Sequence, residues 1–204
     1  GIINMGAKPA LTNWLVDQAL MSALTLPRIE GESLDAFMAR AKADSKEQSQ
    51  KAMQAGTDLH ASLERGFLGR PIDPKHEPHF KAVCEVLDKL GIDISDASVE
   101  RSFASDLGYG GKLDLSGPSF VLDYKSKPTI EDGKDYGYDE HVMQLSSYGK
   151  GLKIENPRLI NLFVGIQDAK VSVKEWTPEE GEKGFAMFKA LLNYWQAKNQ
   201  YVPA

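Results

Sequence analysis

Residues 100–125 read ERSFASDLGYGGKLDLSGPSFVLDYK, and the fold turns on how this stretch pairs with itself. Two apolar-alternating runs, residues 112–115 and 120–125, flank Ser116-Gly117-Pro118-Ser119. That is the pattern of two antiparallel strands joined by a short turn. Side chains along a strand alternate between faces, so Asp123 and Lys125 share one face while Leu122 and Tyr124 share the other. Asp114 lies on the partner strand, two residues beyond Lys112. The spacing predicts that two aspartates and a lysine converge on one face of a hairpin. Carboxylate oxygens suit a hard divalent cation such as magnesium, which often takes one or two carboxylates together with substrate phosphates. A lysine beside them adds a point charge for a phosphate.

Upstream of the hairpin, Val99, Arg101 and Phe103 mark one face of a further strand and Glu100 the other. Downstream, residues 126–138 carry Pro128, Gly133, Gly137 and several charges, a loop of the length that is often functional or mobile. A helix follows over 139–152, with Val142, Leu145, Tyr148 and Leu152 near one stripe and Gln144 one turn from Tyr148. Residues 159–166 and 171–176 read as two more strands. Thr177-Pro178-Glu179-Glu180 opens a last helix with a capping box, and Phe185, Phe188, Leu191, Leu192 and Trp195 form its apolar face. The apolar strands need cover on both faces. The expected fold is therefore α/β, a mixed central sheet of about five strands flanked by helices.

Ahead of the sheet the chain reads as helices. Residues 1–8 form a loose lead-in. Pro9 stands at a first helical turn before Trp14, Leu15, Ala19, Leu20 and Leu24, an amphipathic pattern that places Trp14 in a core and stops before Pro27. Ser33 caps a second helix with Phe37, Met38 and Ala41 on its apolar face, and residues 44–54 are rich in helix formers. There follows Gly56-Thr57-Asp58-Leu59-His60, in which Leu59 and Leu63 face a core while Gly56, His60 and Glu64 share a neighbouring stripe. Gly56 costs about 1 kcal/mol relative to alanine inside a helix, a cost consistent with close approach to its backbone. Asp73-Pro74 begins a third helix with Phe80, Val83, Cys84, Leu87 and Leu90 inward and Gly91 at its end. His76 and His79 fall in its first turn with no acidic or cysteine neighbour, and read as solvated or capping residues.

Bulk properties narrow the classes. The 204 residues suffice for one well-cored domain. A net charge of −5 gives no global signal for nucleic acid, so any such contact needs a local patch or bound cations. Lys112, Lys127, Lys134 and Lys150 are candidates for that rim. One cysteine excludes an internal disulfide framework and a four-cysteine zinc or iron–sulfur site within the chain. No run is long enough for a membrane span and no signal-peptide pattern opens the chain, which makes a cytoplasmic setting the expectation.

Taken in order, Gly56-x-x-x-His60, Gly110-Gly111-x-x-Asp114, Asp123-x-Lys125 and Gln144-x-x-x-Tyr148 resemble the PD-(D/E)XK nuclease superfamily, and within it the RecB-like branch with its phage-type recombination exonucleases. The resemblance spans residues 56–148. It implies a restriction-endonuclease-like core in a single nuclease domain over residues 1–204, with N-terminal helices over 9–90, a catalytic sheet over 98–176 and a C-terminal helix over 177–200. His60, Asp114, Asp123 and the backbone carbonyl of Tyr124 would hold one or two Mg2+ or Mn2+ ions. Lys125 would touch the attacking water and the scissile phosphate. Gln144, Tyr148 and Lys112 would orient the site or the nucleic-acid backbone, and Glu100 would stand behind the ligands.

The function implied is metal-dependent DNA exonuclease activity in phage or bacterial recombination and repair. Its substrate would be single strands or duplex ends, its partner a second copy or an annealing protein, and no membrane would be involved. The sequence departs from the family in a short interval between Asp114 and Asp123, in lacking the cysteines of an iron–sulfur cluster, and in lacking a helicase motor. The alternative is a nuclease-inactive nucleic-acid-binding or assembly module of the same fold.

Overall fold

The computed structural model describes residues 1–6 and 8–203, apart from the Ala10 side chain. The chain divides into two compact units, Gly6–Thr57 and a larger one formed by Gly1–Met5 with Asp58–Ala204.

The smaller unit holds helix α1 (Pro9–Thr25) and the first two thirds of helix α2 (Leu34–Phe67). Ser33 caps α2 as expected, its hydroxyl accepting from the Ala36 N–H at 3.2 Å. The segments read separately from sequence form one uninterrupted helix of 34 residues. The expected amphipathic α1 is not found. Leu11, Leu15, Val16, Leu20, Met21 and Leu24 are 46–80% exposed. At 100° per residue these positions spread around the whole helix instead of gathering in a stripe. With no single apolar face, α1 does not place Trp14 among the fully buried residues.

The larger unit is built on five strands in the order β1 (Ser98–Ser105), β2 (Tyr109–Gly117), β3 (Phe120–Lys127), β4 (Arg158–Gly165) and β5 (Val171–Trp176). All neighbours are antiparallel except β3 and β4, which run parallel. Helix α4 (Asp139–Gly151) makes the crossover that a parallel pair requires. This is the mixed, helix-flanked α/β sheet that the sequence pattern predicts.

Each face of the sheet has its own cover. On one side Leu59 and Leu63 of α2, with Val83 and Leu87 of α3 (Glu77–Lys89), close over Leu115, Leu122, Tyr124, Ile160 and Leu162. On the other, Leu145 of α4 packs on Leu113, Val121 and Leu159. Helix α5 (Pro178–Asn199) lies outside α4, with Phe188 and Leu192 gathered around Tyr109 and Met143. Each such buried side chain contributes about 1.5–3 kcal/mol. The lead-in is not loose: Ile2–Met5 forms a 3-10 turn, and Ile2 and Ile3 pack on this last cluster because α5 leaves it uncovered. The capping box of α5 forms as read, with Thr177 Oγ1 accepting from the Glu180 N–H and Glu180 Oε2 from the Thr177 N–H.

The loop between β3 and α4 is pinned. The Ile130 N–H donates to Asp168, the Glu131 N–H donates to the Tyr136 hydroxyl, and Ile130 and Tyr136 are buried beside Phe163.

One irregularity decides where chemistry can occur. The β2–β3 ladder runs only from Leu115 opposite Leu122 to Gly117 opposite Phe120, next to the turn. Beyond Leu115 the two strands part, while β1 stays paired with β2 and β4 with β3. Leu113 belongs to the α4 core and Leu115 to the α2–α3 core, so β2 changes face around Asp114. Between the pairs Val99–Leu115 and Arg101–Leu113, Glu100 adopts φ +53°, a left-handed conformation that costs a non-glycine residue free energy.

Candidate active site

The parted strands hold the acids. Leu59 and Leu63 anchor α2 on the sheet, and His60 between them is brought to the gap. Its Nδ1 lies 3.7 Å from Asp114 Oδ1, and its ring meets that of Tyr124 edge-on at 6.1 Å. Asp114 Oδ2 accepts the Tyr124 N–H at 2.7 Å. A side-chain carboxylate thus takes the place of the carbonyl that an unbroken ladder would offer, and the backbone donor stays satisfied.

Asp123, 4% exposed, is the more heavily bonded of the two aspartates. Gln144 Nε2 donates to its Oδ1 at 3.0 Å. Lys125 Nζ and Asn161 Nδ2 reach its Oδ2 at 2.8 and 3.1 Å. Lys125 Nζ also donates to Gln144 Oε1 at 3.0 Å, and Gln144 Nε2 reaches the Tyr148 hydroxyl at 3.2 Å. Asp123, Lys125 and Gln144 thereby close a ring of hydrogen bonds, with Tyr148 at its edge. Tyr148 fits because Gly111 lacks a side chain: a Cβ there would stand 2.5 Å from the tyrosine ring.

The charges in this ring are unequal. Burial, with the nearby charge of Asp114, pushes the Asp123 carboxyl up to about 6 in spite of Lys125 and His60. Burial pulls Lys125 down, but Asp123 and Asp114 outweigh it and hold the ammonium above the usual lysine range. Burial likewise opposes a charge on His60, and the nearby carboxylate of Asp114, helped by Asp123, raises its pKa on balance. Two carboxylates, a lysine and an imidazole inclined to protonate therefore share one partly desolvated space.

Six expected residues come together here: His60, Asp114, Asp123, Lys125, Gln144 and Tyr148. Glu100 of β1 and Lys112 of β2 form an ion pair with each other and are not part of the hydrogen-bonded ring. The expected lysine rim is largely neutralised, since Lys134 pairs with Glu131 and Lys150 with Glu182, while Lys127 lies 5.4–5.5 Å over the rings of Tyr136, Tyr138 and Phe163. His76 and His79 are neither solvated nor capping. Both are buried, His76 Nδ1 bonding to the Ser62 hydroxyl at 2.7 Å and His79 Nε2 to the Ile166 carbonyl at 2.9 Å. The turn before α3 and the first turn of α3 carry them inward, where one hydrogen bond to each ring offsets part of the cost of burial, and His79 Nδ1 is left without a partner. Asn161 and Trp176 were not among the expected site residues. The available signal was one amide in the otherwise apolar strand 159–166.

Among the described residues, no group of three or more His, Cys, Asp or Glu side chains is gathered as it stands to hold a metal ion. Asp123 is turned to its nitrogen donors and Asp114 to the Tyr124 amide and His60. In kind, the donor set fits a hard dication: one imidazole and two carboxylates on neighbouring strands. Burial first, and then the charge of Asp114, keep the Asp123 carboxyl raised to about 6, an environment in which a bound cation would favour its ionised form. To ligate an ion, Asp123 would exchange one of its present donors for it.

No protein-family profile matches the chain, and no curated protein does. Among solved structures, the chain is similar to a protein from Eubacterium rectale named "Putative exonuclease", at 15% identity and a TM-score of 0.47, over 72% of this chain and 69% of that one. It is also similar to the protein SSO0001, at 14% identity and a TM-score of 0.31, over 93% and 88% of the two chains.

Proposed function

We propose that this chain is a nuclease of the PD-(D/E)XK kind, RecB-like in its branch, that hydrolyses phosphodiester bonds of DNA from strand ends in phage or bacterial recombination and repair. The observation that carries the reading is the meeting of His60, Asp114, Asp123 and Lys125 where β2 and β3 part. On this reading His60, Asp114, Asp123 and the Tyr124 carbonyl hold one or two Mg2+ or Mn2+ ions, whose chemistry is to lower the pKa of bound water and offset charge on the reacting phosphate.

The chain's own residues have separate tasks. Lys125 keeps its proton because Asp123 holds it, and its ammonium is a preoriented cation for the phosphate on which negative charge grows. Gln144 bonds to both members of that pair and so sets the direction of each. Tyr148, hydrogen-bonded to Gln144, borders the site as a contact for the nucleic-acid backbone. Asp114 ties the β3 backbone to the gap and holds His60 against it.

The test is release of nucleotides from end-labelled single- and double-stranded DNA with and without Mg2+. Wild type should cut only with the metal, and Asp123→Ala and Lys125→Ala should not cut. A second reading draws on the saturation of Asp123 by three protein donors, which a binding or assembly module that never cuts would need no ion to complete. Wild type that binds labelled DNA and cuts it no better than the two variants would favour that module.

A further inference from the structure

Asn161 sits in β4 directly opposite Asp123 in the parallel register, with zero exposure, in a strand whose neighbouring positions are leucine, isoleucine, phenylalanine and valine. A buried amide is costly unless its polar atoms are bonded. Both ends of this one are. Its Nδ2 donates to Asp123 Oδ2 at 3.1 Å, and its Oδ1 accepts from Trp176 Nε1 at 2.8 Å.

The chemistry of the indole makes this chain directional. A tryptophan N–H can only donate, so the atom of Asn161 that faces it must be the oxygen, and the atom that faces Asp123 must be the nitrogen. Turning the amide over would set N–H against N–H at one end and oxygen against carboxylate at the other. The indole is itself held in place. The Lys174 ammonium lies 4.8 Å from its ring centre, and a Cβ on Gly137 would come within 2.9 Å of its edge. At the far end of the chain the two oxygens of Asp123 differ: Oδ2 has Asn161 and Lys125, whereas Oδ1 has Gln144 alone.

We propose that Asn161 and Trp176 are positioning residues: the indole N–H fixes the Asn161 amide, which anchors Oδ2 of Asp123 and leaves Oδ1 as the oxygen offered to a divalent cation. The inference rests on Asp123 being a metal ligand, as in the reading above, and concerns how that ligand is aimed. Trp176→Phe keeps the aromatic packing and deletes only the N–H, which leaves the Asn161 amide held at its Asp123 end alone and free to shift there.

The test is calorimetric titration of the full chain with Mn2+, with thermal unfolding as the control, in wild type, Trp176→Phe and Asn161→Leu. Loss of a group that orients a ligand typically weakens metal affinity about 10- to 100-fold. The expected result is a loss near the lower bound, about tenfold, for Trp176→Phe, in a protein whose Tm falls with the unpaired Asn161 oxygen but stays above the titration temperature, with a comparable loss for Asn161→Leu. Where DNA cleavage is measured alongside, the Mn2+ concentration for half-maximal rate should rise while kcat at saturating Mn2+ is kept.

Wild-type affinity in Trp176→Phe overturns the proposal even if Asn161→Leu fails to fold. Absence of Mn2+ binding by wild type at millimolar concentrations overturns it too, together with the ligand role of Asp123. Wild type that binds Mn2+ without cutting DNA, with the variants binding more weakly, sustains the positioning role and sinks the nuclease reading alone.

Discussion

The two ends of the β2–β3 pair are made of the same strands and do opposite things. Next to the turn, Leu115 pairs with Leu122 and Gly117 with Phe120, and the side chains sink into apolar clusters. A few residues away the ladder stops, and the space between the strands is filled by Asp114, Asp123, Lys125 and the imidazole of His60. The lesson is that the closed end supplies the stability that lets the open end carry charge. Removing side chains at one end should therefore cost folding, and at the other end chemistry.

The largest effect tests that division most directly. Asp123→Ala and Lys125→Ala should each lower Mg2+-dependent nucleotide release by at least about 10²–10³, the usual loss for a preorganised electrostatic group. Leu122→Ala at the closed end should instead cost about 2–5 kcal/mol in denaturant unfolding and leave kcat per folded molecule unchanged. An equal loss of kcat in Leu122→Ala would erase the distinction.

A sharper comparison separates the two jobs of Asp114. Asp114→Ala strands the Tyr124 N–H and should cost about 1–3 kcal/mol, the penalty for a buried donor left without an acceptor, along with activity. Asp114→Asn keeps an acceptor oxygen and should recover most of the stability but not the rate. Denaturant midpoints measured beside nucleotide release decide it.

The open end also predicts a pH dependence without metal. Burial raises the folded-state pKa of the Asp123 carboxyl to about 6, above the 3.8 of an ordinary aspartate, so its contribution to stability is present below about 4 and lost as pH rises through about 6. Asp123→Asn has no such loss. Its Tm relative to wild type should climb between pH 4 and pH 7 in chelator-treated buffer, and saturating Mg2+ should narrow the gap. A gap that does not vary with pH would count against the raised pKa of Asp123.

A smaller effect is expected from Gly111→Ala, whose new methyl group meets the Tyr148 ring. Misplacing a site residue by about an ångström can cost up to about 10² in rate. Because Tyr148 lies at the edge of the hydrogen-bonded ring, a loss of about tenfold is expected, measurable in kcat. The smallest belongs to Lys112→Ala, which breaks an exposed pair with Glu100 and should leave Tm unchanged, since such pairs add little in water.

Much of this architecture is legible in sequence because it is written in local patterns. The capping box at Thr177, the Ser33 cap and the short turn before Phe120 depend on neighbours within four positions. The alternation 122–125 correctly separates Leu122 and Tyr124 from Asp123 and Lys125. What is not legible depends on tertiary partners. Nothing near Asp114 in the chain signals that β2 will change face there, because the pivot involves Glu100 on another strand. His76 and His79 look like surface residues until the start of α3 and the turn before it bring them onto Ser62 and Ile166. Asn161 is visible only as an interruption, and its meaning requires knowing that β4 lies beside β3 and that β5 brings an indole to it. In α1 the apolar residues suggest a stripe in the sequence, yet at the helical period they encircle the helix.

The distance along the chain at which the site's parts are joined has a kinetic side. Asp114 and Asp123 are linked by a tight turn within a meander, whereas His60 arrives from a helix far upstream, across α3 and the first strand. Contacts between near neighbours form early, and those that close long loops form late. A refolding molecule would gather its acids before its imidazole, so the capacity to hold an ion with all three residues would be among the last native properties to return.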